Sequence, residues 1–101
     1  MVDALREAHA LAVKSSAELT LTIDSEGSRY TITPAAEPTT LPTGVTLHFR
    51  DIPYAEIKGA IAHIRFFPDG SSTGGTVGLL QGGQRYWIGV DWLTGRVSLR
   101  D

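Results

Sequence analysis

The apolar period of this chain changes once, from helical to alternating, and that change decides the class of fold open to it. Residues 2–16 are rich in alanine and leucine, both strong helix formers. At 100° per residue, Asp3, Arg6, Glu7 and Lys14 gather on one side, with Val2, Ala4, Leu5, Ala8, Leu11, Ala12 and Val13 opposite. From Leu19 the period becomes two. Residues 19–23 and 29–33 alternate leucine or isoleucine with threonine around Asp24-Ser25-Glu26-Gly27-Ser28, which predicts a hairpin with threonines outward. One helix followed by alternating segments predicts an α+β domain, its N-terminal helix packed on antiparallel β-sheets.

Further strands are expected over 45–49, 61–67, 76–80, 85–91 and 96–99, about seven short strands in all, with Gly82-Gly83 forming a tight hairpin. Residues 34–44 are rich in proline and threonine without periodicity, and read as a surface loop. Residues 52–59 stay open: Pro53 disfavours a central strand, and 54–58 suits one helical turn equally well. In the last long strand, Tyr86, Ile88, Val90 and Trp92 share one face, which places Trp92 in the core. Trp87 lies on the other face and has two placements: an exposed anchor for a partner, or packing beneath the 34–44 loop.

A chain of 101 residues suits a single domain, 1–101. Nine basic and eleven acidic residues spread along it leave no dense positive patch, so nucleic acid is not an expected ligand. With no cysteine, disulfides and thiolate metal sites are excluded. No window approaches the ~18 consecutive apolar residues needed to span a bilayer, and no signal-peptide pattern opens the chain.

Candidate chemistry is sparse. The 69–75 stretch is glycine-rich, but no lysine follows Gly75 as a Walker loop requires, and a strand follows rather than the helix of a dinucleotide turn. Ser71 or Ser72, one of His9, His48 and His63, and Asp69 or Asp91 supply hydrolase residue types without a nucleophile elbow. The three histidines lack the close spacing of a zinc site, and a single carboxylate at Asp69 falls short of calcium's oxygen demand. The expectation is a protein with no catalytic site, cofactor, metal or small-molecule substrate.

Two runs carry most of the local information. In the first, from Ile64 to Gly75, Pro68 presets φ and steers Phe67 to extended geometry; Asp69 offers an acceptor, Gly70 accepts positive φ, and Gly74-Gly75 end the glycine-serine turn. In the second, from Val90 to Leu99, Gly95 is expected at positive φ, Thr94 bonds the local backbone, and Arg96 pairs with Asp91 across the turn. These runs in this order, with Leu5-Arg6-Glu7-Ala8 and Ala12-Val13 before them, resemble the H-type minor pseudopilins of type II secretion systems, within the wider GspH/FimT pilin-like family. The likeness covers most of the chain and is weakest over 34–60.

The resemblance implies that residues 1–17 are the end of the long pilin helix and 18–101 the β-rich globular part. It implies a periplasmic domain in a Gram-negative bacterium, partnered by other minor and major pseudopilins near the tip of a pseudopilus. The family opens with a peptidase cleavage site, a glutamate near the mature start and a membrane-spanning helix, none of which lies within residues 1–101; an inner-membrane anchor is therefore expected ahead of Met1. Contacts with neighbouring subunits are expected along the helix, at Val2, Leu5, His9, Ala12 and Val13, at the 69–75 loop and at Trp87. The apolar arc of the helix spans roughly 200°, about twice the stripe that a single core requires. Either the domain's own sheet covers all of it, or part faces a neighbour. Alternatives are a minor pilin priming a type IV pilus, a small hydrolase, or a carbohydrate-binding module using Trp87 and Tyr54.

Overall fold

Leu5, Ala8 and Ala12 recur at helical spacing, and they are the side chains that helix α1 (Val2–Ser15) buries. The computed structural model describes residues 1–34 and 38–100. Helix α1 ends one residue before its sequence-expected end, because Ser16 takes a left-handed conformation (φ 53°) and the Ala17 N–H donates to Ala12 O at 3.2 Å, closing the last turn.

Among the described residues nine strands follow: β1 (Leu19–Asp24), β2 (Arg29–Thr33), β3 (Thr39–Thr40), β4 (Val45–Arg50), β5 (Ile57–Lys58), β6 (Ile61–Phe66), β7 (Gly75–Gln81), β8 (Gln84–Val90) and β9 (Val97–Arg100). The two beyond the expected seven are two-residue edge strands. β3 falls inside the 34–44 segment and pairs with β2 through Arg29↔Thr40 and Tyr30↔Thr39; residues 35–37 of that segment lie outside the described residues. The ambiguous 52–59 stretch divides into a 3₁₀ turn at Tyr54–Glu56 and β5.

The strands form two antiparallel sheets, one in the order β3-β2-β1-β6-β5 and the other β4-β7-β8-β9. The expected hairpin is present, with Leu21 opposite Ile32 and Ile23 opposite Tyr30. β1 and β6 each alternate buried with half-buried residues, and Leu21, Ile23, Ala62, Ile64 and Phe66 are fully removed from solvent. Burying a leucine, isoleucine or phenylalanine contributes about 2 kcal/mol each before chain entropy is subtracted. The helix lies against β1 and β6 of one sheet and β9 of the other, so it closes the seam between them. Arg6 reinforces this by donating from Nη2 to Val97 O at 3.4 Å.

One core expectation is overturned. Trp92 is 66% exposed, because the alternation of β8 stops at Val90 and Trp92 sits in the following turn rather than on the strand. Trp87 is half-buried. Its ring lies over Gly78 of the neighbouring strand, where a Cβ would come within 2.4 Å of it, and the Arg50 guanidinium stacks 3.9 Å from the ring centroid.

Candidate assembly surface

The glycine-serine loop after β6 is built by its own side chains. Asp69 Oδ1 accepts from the Ser71 hydroxyl at 2.6 Å and the Ser71 N–H at 2.9 Å, while the Phe67 N–H donates to Ser71 O and the Gly70 N–H to Phe67 O. The Ser71 hydroxyl and then its N–H hold the Asp69 carboxyl below the ordinary value of 3.8. Past this turn the loop runs inward. Ser72 is 5% exposed, its N–H donates to Trp92 O at 2.8 Å, and its hydroxyl donates to Asp91 O at 3.0 Å while accepting from the Gly74 N–H. Thr73 locks to Arg65 through both backbone and side chain.

The turn after β8 is organised the same way. Asp91 Oδ1 accepts from the Leu93 and Thr94 N–H groups at 2.8 and 3.0 Å, an Asx turn that carries the chain off the strand direction. The Gly95 N–H donates to Asp91 O, and the Arg96 N–H to Thr94 Oγ1 at 3.2 Å, so Thr94 bonds the local backbone as expected. Asp91 and Arg96 meet through their backbones, the Asp91 N–H donating to Arg96 O at 3.0 Å.

His9 joins these two turns to the helix. Its Nε2–H donates to Gly70 O at 2.9 Å, and its ring tilts against Phe66 at 6.2 Å between centroids. Gly95 seals the junction: φ is +68°, and a Cβ there would meet Gly70 O at 2.2 Å and His9 Cδ2 at 2.5 Å. The two sequence runs, 28 residues apart from Phe67 to Gly95, therefore form one intramolecular lock with the helix. Pro68 and Asp69 remain exposed, whereas Gly74 and Gly75 are buried against Trp92 and Ile52.

Of the hydrolase residue types, Ser71, Asp69 and His9 meet at one loop, but His9 Nε2 bonds Gly70 O rather than a serine hydroxyl. Ser71 and Ser72 direct their hydroxyls to Asp69 and Asp91 O, while His48 pairs with Thr46 Oγ1 and His63 Nδ1 with Thr22 Oγ1. Among the described residues no group of three histidines or carboxylates is arranged to hold a metal ion.

The helix keeps part of its apolar arc open. Leu5 and Ala12, expected at a subunit contact, are wholly occupied by the domain's own sheets. Val2 and His9 are half-buried. The domain covers the middle of the arc and leaves its margins open: Leu11 is 48% and Val13 47% exposed, and the two sit about 200° apart around the axis. Beside Leu11 a shallow groove of about 140 Å3 runs between the helix and the first sheet, lined by Ala4, Glu7, Leu19 and Ile32. Leu11 belongs to the arc that the sequence defines, but periodicity alone does not separate the margins of that arc from its centre.

Comparison with known proteins agrees with this architecture. The fold is similar to that of the minor pseudopilin EpsH from the type 2 secretion system of Vibrio cholerae, with TM-score 0.75 and 17% identity over 98% of this chain and 89% of that one. A second structure of EpsH gives TM-score 0.73 and 18% identity, over 97% and 86% of the two chains. The type IV minor pilin FimU of Pseudomonas aeruginosa is also similar, with TM-score 0.67 and 17% identity over 99% and 82%. No curated protein matches the chain in sequence. Among the described residues no helix is long and apolar enough to cross a membrane. The family model described as Type II transport protein GspH matches residues 1–94, and the chain belongs to that family of structural pseudopilins, with the pilin-like fold.

Proposed function

We propose that this chain is the periplasmic domain of a non-enzymatic minor pseudopilin. In this reading it assembles with other minor and major pseudopilins near the tip of a type II secretion pseudopilus and supports export of folded proteins across the outer membrane. An inner-membrane helix ahead of Met1 continues α1. The observation that carries the reading, beside family membership, is the division of the helix into a buried centre and two open apolar margins at Leu11 and Val13. A helix resting only on its own sheet leaves about half of Leu11 and Val13 in water, whereas a helix packed among others buries the rest. Priming of a type IV pilus is the second reading, supported by the similarity to FimU.

Deletion of the full-length gene in its host separates the two. Secreted enzymes retained in the periplasm with normal surface pili agree with type II secretion. Lost pili with normal secretion favour the pilus reading, and no change in either contradicts both.

A further inference from the structure

The lock between the two turns ends in an exposed tip that the assembly helix does not use. Trp92 and Leu93 are 66% and 64% exposed side by side, and their backbone is fixed by Asp91 Oδ1, by the Ser72 N–H on Trp92 O, and by Gly74, which rests under the Trp92 Cβ. With its backbone fixed, Trp92 has only its two side-chain torsions to order on binding, which favours a tryptophan as an anchor.

Trp92 stands on the rim of a cleft of about 510 Å3, formed where the segment after β4 meets the start of β7 and the end of β8. This volume falls in the range of ligand-sized clefts. Its floor is the Gly74-Gly75 backbone, and its polar lining is Thr73, Thr76, Asp51 and Asp91. Among the described residues, the only charged side chains lining it are those two carboxylates. Asp51 reaches Arg50, which lies outside the lining, through a loose and exposed pair at 3.7 Å, a contact that a better-placed cation displaces at little cost.

We propose that this cleft is the docking site for an arginine side chain of a neighbouring subunit; the partner's identity, though not the chemistry, rests on the pseudopilin reading above. A planar guanidinium stacks on the open indole face and presents paired N–H donors to a carboxylate, which matches a tryptophan rim beside Asp51. A neutral sugar also stacks on the indole and donates hydroxyls to a carboxylate, but it brings no charge to match Asp51, and the exposed Leu93 next to Trp92 adds an aliphatic surface that suits a protein partner.

The test is an NMR titration of the 15N-labelled 101-residue chain with acetyl-Gly-Arg-Gly-amide, the same peptide carrying citrulline, and maltotriose. The expected result is saturable shifts of the Trp92 indole N–H and the 73–76 amides with the arginine peptide, and binding of the citrulline peptide weaker by about fivefold. Asp51→Asn weakens the arginine peptide by about two- to fivefold. Trp92→Ala, which keeps the Cβ resting on Gly74, weakens it by about as much and leaves Tm unchanged. Equal binding of the citrulline peptide, an arginine-peptide affinity unchanged by Trp92→Ala, maltotriose binding alone, or no shifts with any probe would each overturn the proposal. None of these readouts depends on secretion, so failure of the cleft and failure of the pseudopilin assignment are told apart by the gene deletion.

Discussion

At the residue scale, the sharpest constraint is Gly95, which combines positive φ with no room for a methyl group. Gly44 has a similar φ of +92° but open space, with no atom within 4 Å of where a Cβ would stand, so the pair separates backbone strain from steric exclusion. Gly44→Ala is expected to cost about 1 kcal/mol from strain alone, and Gly95→Ala about 3 kcal/mol or more, read as a shift in urea midpoint at constant m. Gly78→Ala displaces the Trp87 ring, and a red shift of tryptophan emission without loss of secondary structure checks it. Asp69 sets the acid behaviour of the lock. Its folded pKa is lowered, so the ionised group contributes stability fully above its ordinary value of 3.8 and loses it as pH falls through the lower folded value. Asp24 behaves alike, held down first by the Gly27 N–H and then by Arg29. The acid limb of stability is therefore expected below about pH 3.8, and Asp69→Asn is expected to flatten it in thermal melts taken between about pH 2 and 5.

At the element scale, α1 serves two functions on one surface in the proposed reading. Leu5→Ala removes a fully buried side chain from the seam between the sheets and is expected to destabilise by about 3 kcal/mol. Leu11→Glu, on the open margin, is expected to change the stability of this chain by less than about 0.5 kcal/mol while impairing assembly of the full-length protein. Periodicity and length make α1, the β1–β2 hairpin and the β4, β6, β7 and β8 strands legible, because each runs five or more residues; burial alternates along β1, β4 and β6, while β7 buries four residues in succession. They do not reveal β3 or β5, whose two residues carry no period and pair only because a neighbouring edge is available. The core placement of Trp92 fails for a local reason: the alternation of apolar residues runs past Val90, but the Asp91 carboxylate caps two amides and turns the chain. Ser72 has the sequence surroundings of a loop residue, and its burial depends on a contact with a turn 19 residues away that no local pattern encodes. The Pro68-Asp69-Gly70 turn and the Thr94-Gly95 turn are legible singly. Their union through His9 is not.

At the scale of the whole molecule, two sheets are held together by one helix and one lock, and apolar side chains stay open on the margins of that helix as well as at Tyr54, Trp92, Leu93 and Leu99. The central claim is that these margins face other subunits. The absence of native cysteine makes a direct test clean, since any introduced thiol is unique in these 101 residues. Leu11→Cys and Val13→Cys, each placed in the full-length protein in its own host, are to be compared under mild oxidation and bifunctional thiol cross-linking with Glu26→Cys, which lies on the exposed β1–β2 turn. Adducts with other pseudopilins are expected from positions 11 and 13 and a monomer from position 26. Normal secretion together with no adduct from either helix position would contradict the claim.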